Sequence, residues 1–178
     1  MNYSRMFTGG VALALGCGLL LSSYFSLAET NTSPTPSIQG EIVLSEIESS
    51  GPDPEFCHIP AVVGRYPFGE QGGCYKNDND LIMLRNVPSA LTIRIHDDRG
   101  CRDGGKDWRI GITTVKNPTT TGNGVGNTLD DFVKFETIWN TPVGKVIVPG
   151  VMKAESWSYN GNMPDFTNGA SCLDVKRD

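Results

Sequence analysis

The sequence predicts an all-β protein, a Greek-key β-sandwich stabilised by two disulfides. Several short segments alternate apolar and polar residues with a period of two, the mark of half-buried strands. Gly, Pro and Asn punctuate the gaps between them, and no long segment carries a 3.6-residue apolar period. Four cysteines remain once an N-terminal leader is set aside, an even number.

The leader comes first. Arg5 gives a positive start, an apolar stretch runs from Val11 to Leu21, and Ser26-Leu27-Ala28 places small residues before Glu29. This reads as a secretory signal peptide over residues 1–28, cut after Ala28. Lipidation of Cys17 is disfavoured, because Leu15 stands where a small residue is preferred and the apolar run continues past the cysteine. Residues 29–39, rich in Ser, Thr and Pro, read as a flexible leader that has too little apolar surface to order. Residues 40–178 then form a single domain.

The predicted strands follow in order. Gly40–Ile47 is the first segment able to pair, and Ala61–Val63 is a short strand inside a long loop. Leu81–Leu84 is an apolar run stopped by Asn86-Val87-Pro88. Ala90–His96 alternates cleanly, with Leu91, Ile93 and Ile95 on one face and Thr92, Arg94 and His96 on the other. Trp108, Ile110 and Ile112 repeat the inward pattern. Asn117–Asn127 reads as a plain surface loop; its spaced glycines lack the strand and Lys-Ser/Thr of a phosphate cradle. Asp130–Ile138 reads as a strand, although Thr128-Leu129-Asp130-Asp131 has the composition to open a short helix. Gly144–Pro149 and Met152–Tyr159 complete the pattern, and the C-terminal stretch is turn-rich with Cys172 securing it.

Cleavage after Ala28 removes Cys17 and leaves Cys57, Cys74, Cys101 and Cys172, which allow three pairings. Cys74–Cys101 is favoured, because the segment between them reads as a hairpin that returns to its start, and Cys57–Cys172 would tie the early loop to the tail. Zinc is disfavoured by the absence of a C-x-x-C pair. The same cleavage removes one cation and leaves 14 Lys+Arg against 20 Asp+Glu. A mild, unclustered acidic balance argues against nucleic acid and anionic membrane surfaces as partners, and no later stretch reaches the roughly 20 apolar residues of a membrane helix.

The segment IRIHDDRGCRDGGKDWRIGI, with NDNDLIMLRNVPSALTI before it, resembles the βγ-crystallin-like Greek-key superfamily. Both show an Asn/Asp-rich stretch, an apolar strand, an acidic Gly-containing loop and a return strand. The resemblance covers about residues 77–112 and implies a double Greek-key sandwich and calcium in its loops. The family's calcium signature ends in Ser/Thr-Ser, where this chain has Leu-Ile-Met-Leu at 81–84.

Calcium takes six to eight oxygen ligands, so Asn77, Asp78 and Asp80 before one strand and Asp97 and Asp98 after another are the candidate ligands. Arg99, Arg102 and Lys106 interleave with the second group and offset its charge. Only His58 and His96 are available as neutral-pH bases, and His96 with Asp98 is the one pairing that suits a hydrolase. No serine lies in a G-x-S-x-G elbow. Trp139, Trp157 and Tyr159 are the candidate contact aromatics. The expectation is a secreted or periplasmic, non-catalytic module that binds another protein, for example as an inhibitor. A calcium-stabilised structural protein and an envelope hydrolase are the alternatives.

Overall fold

The computed structural model describes residues 39–48, 51–52, 57–69, 74, 79–102, 107–126, 128–166 and 169–177. The expected signal peptide, most of the expected leader, and Asn77 and Asp78 lie outside the described residues. Strands form at expected segments: β1 (Glu41–Ser45), β6 (Leu81–Arg85), β7 (Leu91–His96), β8 (Trp108–Thr114), β10 (Val146–Val148) and β11 (Val151–Ser158). Further strands complete the set: β2 (Ile47–Glu48), β3 (Gly51–Pro52), β4 (Cys57–Pro60), β5 (Gly64–Pro67), β9 (Val133–Lys134) and β12 (Cys172–Arg177). One helix, α1 (Phe135–Asn140), follows β9 directly.

The strands form a four-stranded sheet ordered β4-β1-β6-β9, a six-stranded sheet ordered β10-β11-β8-β7-β12-β5, and a small β2-β3 ribbon. Neighbouring strands are antiparallel throughout. Ile42, Leu44, Ile82 and Leu84 from the first sheet share one buried cluster with Ile93, Ile95, Ile110, Ile112, Leu173 and Val175 from the second. Two sheets with a common apolar filling make a sandwich. At one end of this filling Phe166 meets Trp108 edge-on, with ring centroids 4.8 Å apart, and also packs near Phe135 and Trp139. Gly169 permits the close fit, since a Cβ there would stand 2.6 Å from the Trp108 ring.

The four-stranded sheet is apolar on both faces. Val43, Leu81 and Met83 point away from the central filling and form a second buried cluster with Phe132. The 117–127 segment is therefore more than a plain surface loop: Thr119 and Thr121 are buried in it. Thr121 donates its hydroxyl to the Asp131 carbonyl and accepts the Leu84 N–H. Asp131, itself buried, gathers the backbone N–H groups of Asn123, Gly126 and Thr128 and the Thr128 hydroxyl. Gly122 has a positive φ, and a Cβ there would lie 2.5 Å from Asp131. Burial alone would raise the Asp131 pKa, but these donors outweigh it and hold the carboxyl below its ordinary value.

Four expectations are corrected. The disulfides are Cys57–Cys74 and Cys101–Cys172. The segment from 74 to 101 does not return to its start, because β6 and β7 lie in different sheets and the chain crosses between them at Val87–Ala90. Ala61–Val63 is the bend between β4 and β5, which belong to opposite sheets. Asp130–Ile138 becomes a 3-10 turn over Leu129–Asp131, a two-residue strand and α1. Phe135 and Ile138 are buried one turn apart, too short a pattern for a helical period to register. Finally, the C-terminal stretch supplies β12, which pairs with both β7 and β5.

Two outcomes are expected. Non-reducing peptide mapping should recover the 57–74 and 101–172 pairs, and a Cys101→Ser/Cys172→Ser variant should lose about 1 kcal/mol more stability than Cys57→Ser/Cys74→Ser, because its closed loop is the longer. Asp131→Asn should cost about 2 kcal/mol at pH 7. A depressed carboxyl stabilises the fold above its unfolded pKa and loses that contribution as pH falls through the folded value. Urea midpoints at pH 7 and pH 3 should therefore differ less in the variant than in the parent chain.

Candidate functional site

Register places two rows of side chains on the outer face of the six-stranded sheet. One row runs Trp157, Arg109, His96, Cys172, Pro67 across β11, β8, β7, β12 and β5. The next runs Glu155, Gly111, Arg94, Asp174, Arg65 across the same strands. The second row alternates in charge apart from Gly111. That glycine leaves a gap on β8, since a Cβ there would lie 2.8 Å from Glu155 Cγ. Glu155 lies across the gap to pair with Arg94, and its other oxygen meets Arg109 at 3.2 Å. Asp174 meets Lys176 at 2.8 Å and lies 4.0 Å from Arg65. Its side chain is only 5 % exposed, so water screens these pairs less than ordinary surface pairs.

Trp157 and Tyr159 are both exposed, at 37 % and 66 %, where this face ends on β11 and the turn after it. Trp139 is not with them. It sits on α1, packs against the central cluster near Phe166 and lies under the Lys153 ammonium, 5.8 Å from its ring centre. A bulge between Lys153 and Glu155 sends Lys153 inward, where it donates to the Trp139 carbonyl in the last turn of α1. Desolvation lowers the Lys153 pKa. The cation thus serves the helix C-terminus.

His96 is buried on the outer face between Cys172 and Arg109. Asp98, two residues on, turns to its own loop: it accepts Gly100 N–H, Arg102 N–H and the Arg102 guanidinium. The Arg102 side chain is the main reason its carboxyl is held far below the usual range. This loop sets Cys101 at a positive φ of 49°, from which it bonds Cys172. His58 pairs with Glu41 at 2.9 Å on the other sheet, and Glu41 also meets Arg85.

The candidate calcium ligands divide into separate surroundings. Asp97 is pushed up by burial, then by Asp107 and Asp98. Asp80 is pushed up by burial, with Glu46 and Lys134 as its charged neighbours. Among the described residues no group of three His, Cys, Asp or Glu side chains is placed to hold a metal ion. Sequence reasoning missed the Glu155 group with Arg94 and Arg109 and the Asp174 group with Arg65 and Lys176. Their placement in one row or the next depends on which strands are neighbours, and the opposition of Gly111 to Glu155 makes room for the Glu155 pairs with Arg94 and Arg109.

Alanine at position 111 would ordinarily stabilise a strand by a few tenths to 1 kcal/mol. Here Gly111→Ala should instead destabilise by about 1–2 kcal/mol, because it displaces Glu155. Urea denaturation should show that cost shrinking in the Glu155→Ala background, as coupled neighbours require. No family model, curated protein or solved structure matches the chain, so the resemblance to the βγ-crystallin superfamily rests on its own residues 77–112.

Proposed function

We propose that this chain is an exported, non-catalytic binding domain that engages another protein through the Trp157 corner of the six-stranded sheet. The observation that carries the reading is the exposure of Trp157 and Tyr159 on a face otherwise occupied by paired charges. Trp, Tyr and Arg supply most of the energy at protein interfaces, and Arg109 stands directly beside Trp157 across the strands. The Glu155 pairs hold Arg109 in place before a partner arrives, which lowers the entropy lost on docking. Two disulfides fit an oxidising, extracytoplasmic environment. Among the described residues no helix is long and apolar enough to cross a membrane. A secreted or periplasmic inhibitor is one form such a module takes.

A photo-crosslinking amino acid in place of Tyr159 should capture a discrete protein from envelope or culture fractions. The same probe at Val63, exposed elsewhere on the fold, should not. Trp157→Ala should weaken the captured complex by about 2 kcal/mol, some thirty-fold. Equal capture from both positions, or none from 159, would overturn the reading.

A further inference from the structure

The sequence holds Asn-Gly at 123–124, 160–161 and 168–169, and Asn168 lies outside the described residues. The first two pairs form the same turn. Gly124 and Gly161 share a φ of 73°. In each turn the asparagine Oδ1 accepts the N–H two residues on, from Val125 at 2.7 Å and from Asn162 at 3.0 Å. In each the glycine N–H donates three residues back, to the Thr121 carbonyl at 3.1 Å and to the Ser158 carbonyl at 3.2 Å.

Their surroundings differ. The Asn123 N–H is held by the buried Asp131 carboxylate at 2.8 Å, and the Arg85 guanidinium donates to the Gly124 and Val125 carbonyls at 2.6 and 2.8 Å. A Cβ at Gly124 would stand 2.7 Å from Thr120 Cγ2. The second turn follows β11 and is exposed from Tyr159 to Met163. Its remaining ties are the Tyr159 N–H on the Asp107 carbonyl at 3.3 Å and the Ser158 hydroxyl on the Asn162 carbonyl at 2.7 Å. A Cβ at Gly161 would meet none of the described residues within 4 Å.

We propose that Asn160 is a site of spontaneous deamidation, selected over Asn123 by the openness of its turn. The Gly161 nitrogen attacks Asn160 Cγ, and the Cγ–Nδ2 bond breaks as the new N–Cγ bond forms. Nδ2 leaves as ammonia, and the proton lost from the Gly161 nitrogen completes it. One water molecule then opens the five-membered imide at either carbonyl, giving aspartate or isoaspartate. Glycine suits the step because no Cβ crowds the attacking nitrogen. Charge develops on Oδ1 as Cγ becomes tetrahedral, and the Asn162 N–H already donates there. The attack requires the Gly161 N–H to leave the Ser158 carbonyl. Such local opening disturbs few contacts at 160, whereas at 123 it works against the Arg85 and Asp131 bonds.

The product carries a carboxylate where a neutral amide stood, next to Tyr159. Its effect on docking rests on the function proposed above. The modification itself does not, because mass spectrometry reads it with no partner present.

The test incubates the folded, disulfide-bonded protein in mildly alkaline heavy-oxygen water, so that only newly opened imide carries the label. Peptide mapping should show Asn160 converting about ten-fold or more faster than Asn123, to a mixture of aspartate and isoaspartate. In the reduced, urea-unfolded chain the two rates should converge, since the clamps at 123 are then gone. Gly161→Ala should slow conversion at 160 by about ten-fold or more. The proposal is overturned if Asn160 stays an amide, if Asn123 converts as fast in the folded protein, if the preference persists unchanged in urea, or if Gly161→Ala leaves the rate unaltered.

Discussion

Strand β6 carries four consecutive apolar side chains into the middle of the four-stranded sheet, and every one is fully buried. Strand geometry sends alternate residues to opposite faces, so Ile82 and Leu84 fill the sandwich while Leu81 and Met83 join Val43 on the far side. Leaving those three in water would forgo about 2 kcal/mol each. The segment between β8 and β9 supplies the cover, yet apart from Phe132 it contributes little apolar bulk to the second cluster. It is held instead by the Thr121 hydroxyl and by the Asp131 carboxylate with its several donors. A polar clamp thus secures a lid over an apolar surface.

This division explains what could be read from the sequence. Strands β7 and β8 stand out because one face is apolar and the other carries Thr and Arg, so the period of two is visible. Strand β12 has the same alternation, Leu173 and Val175 inward with Asp174 and Lys176 outward, but it is charged and resembles a tail in sequence. The disulfide pairing failed for a different reason. It depends on which sheet each strand joins, and a chain crossing between sheets looks locally like a hairpin. Exposure of aromatics is likewise a tertiary property: Trp139 and Trp157 have similar polar surroundings in sequence, yet one packs under Lys153 and the other faces solvent.

The charges on the six-stranded sheet's outer face are satisfied within the face itself. On the six-stranded sheet Glu155 and Asp174 each sit between two cations, leaving the aromatics at the edge as the unburied element. Removing one partner from a half-buried charge network is costly, so this face is built to be rigid.

The place of β12 has a consequence for how the molecule comes into being. It lies between β7 and β5, so two of the six-stranded sheet's five strand pairings wait on residues 172–177. A chain delivered from its N-terminal side presents Cys57 and Cys74 first, and these are a native pair. Cys101 then emerges with no correct partner until 71 further residues have followed. Vectorial delivery therefore favours the first bond and exposes the second to mispairing, and docking of β12 beside β7 is the step that brings Cys172 to Cys101.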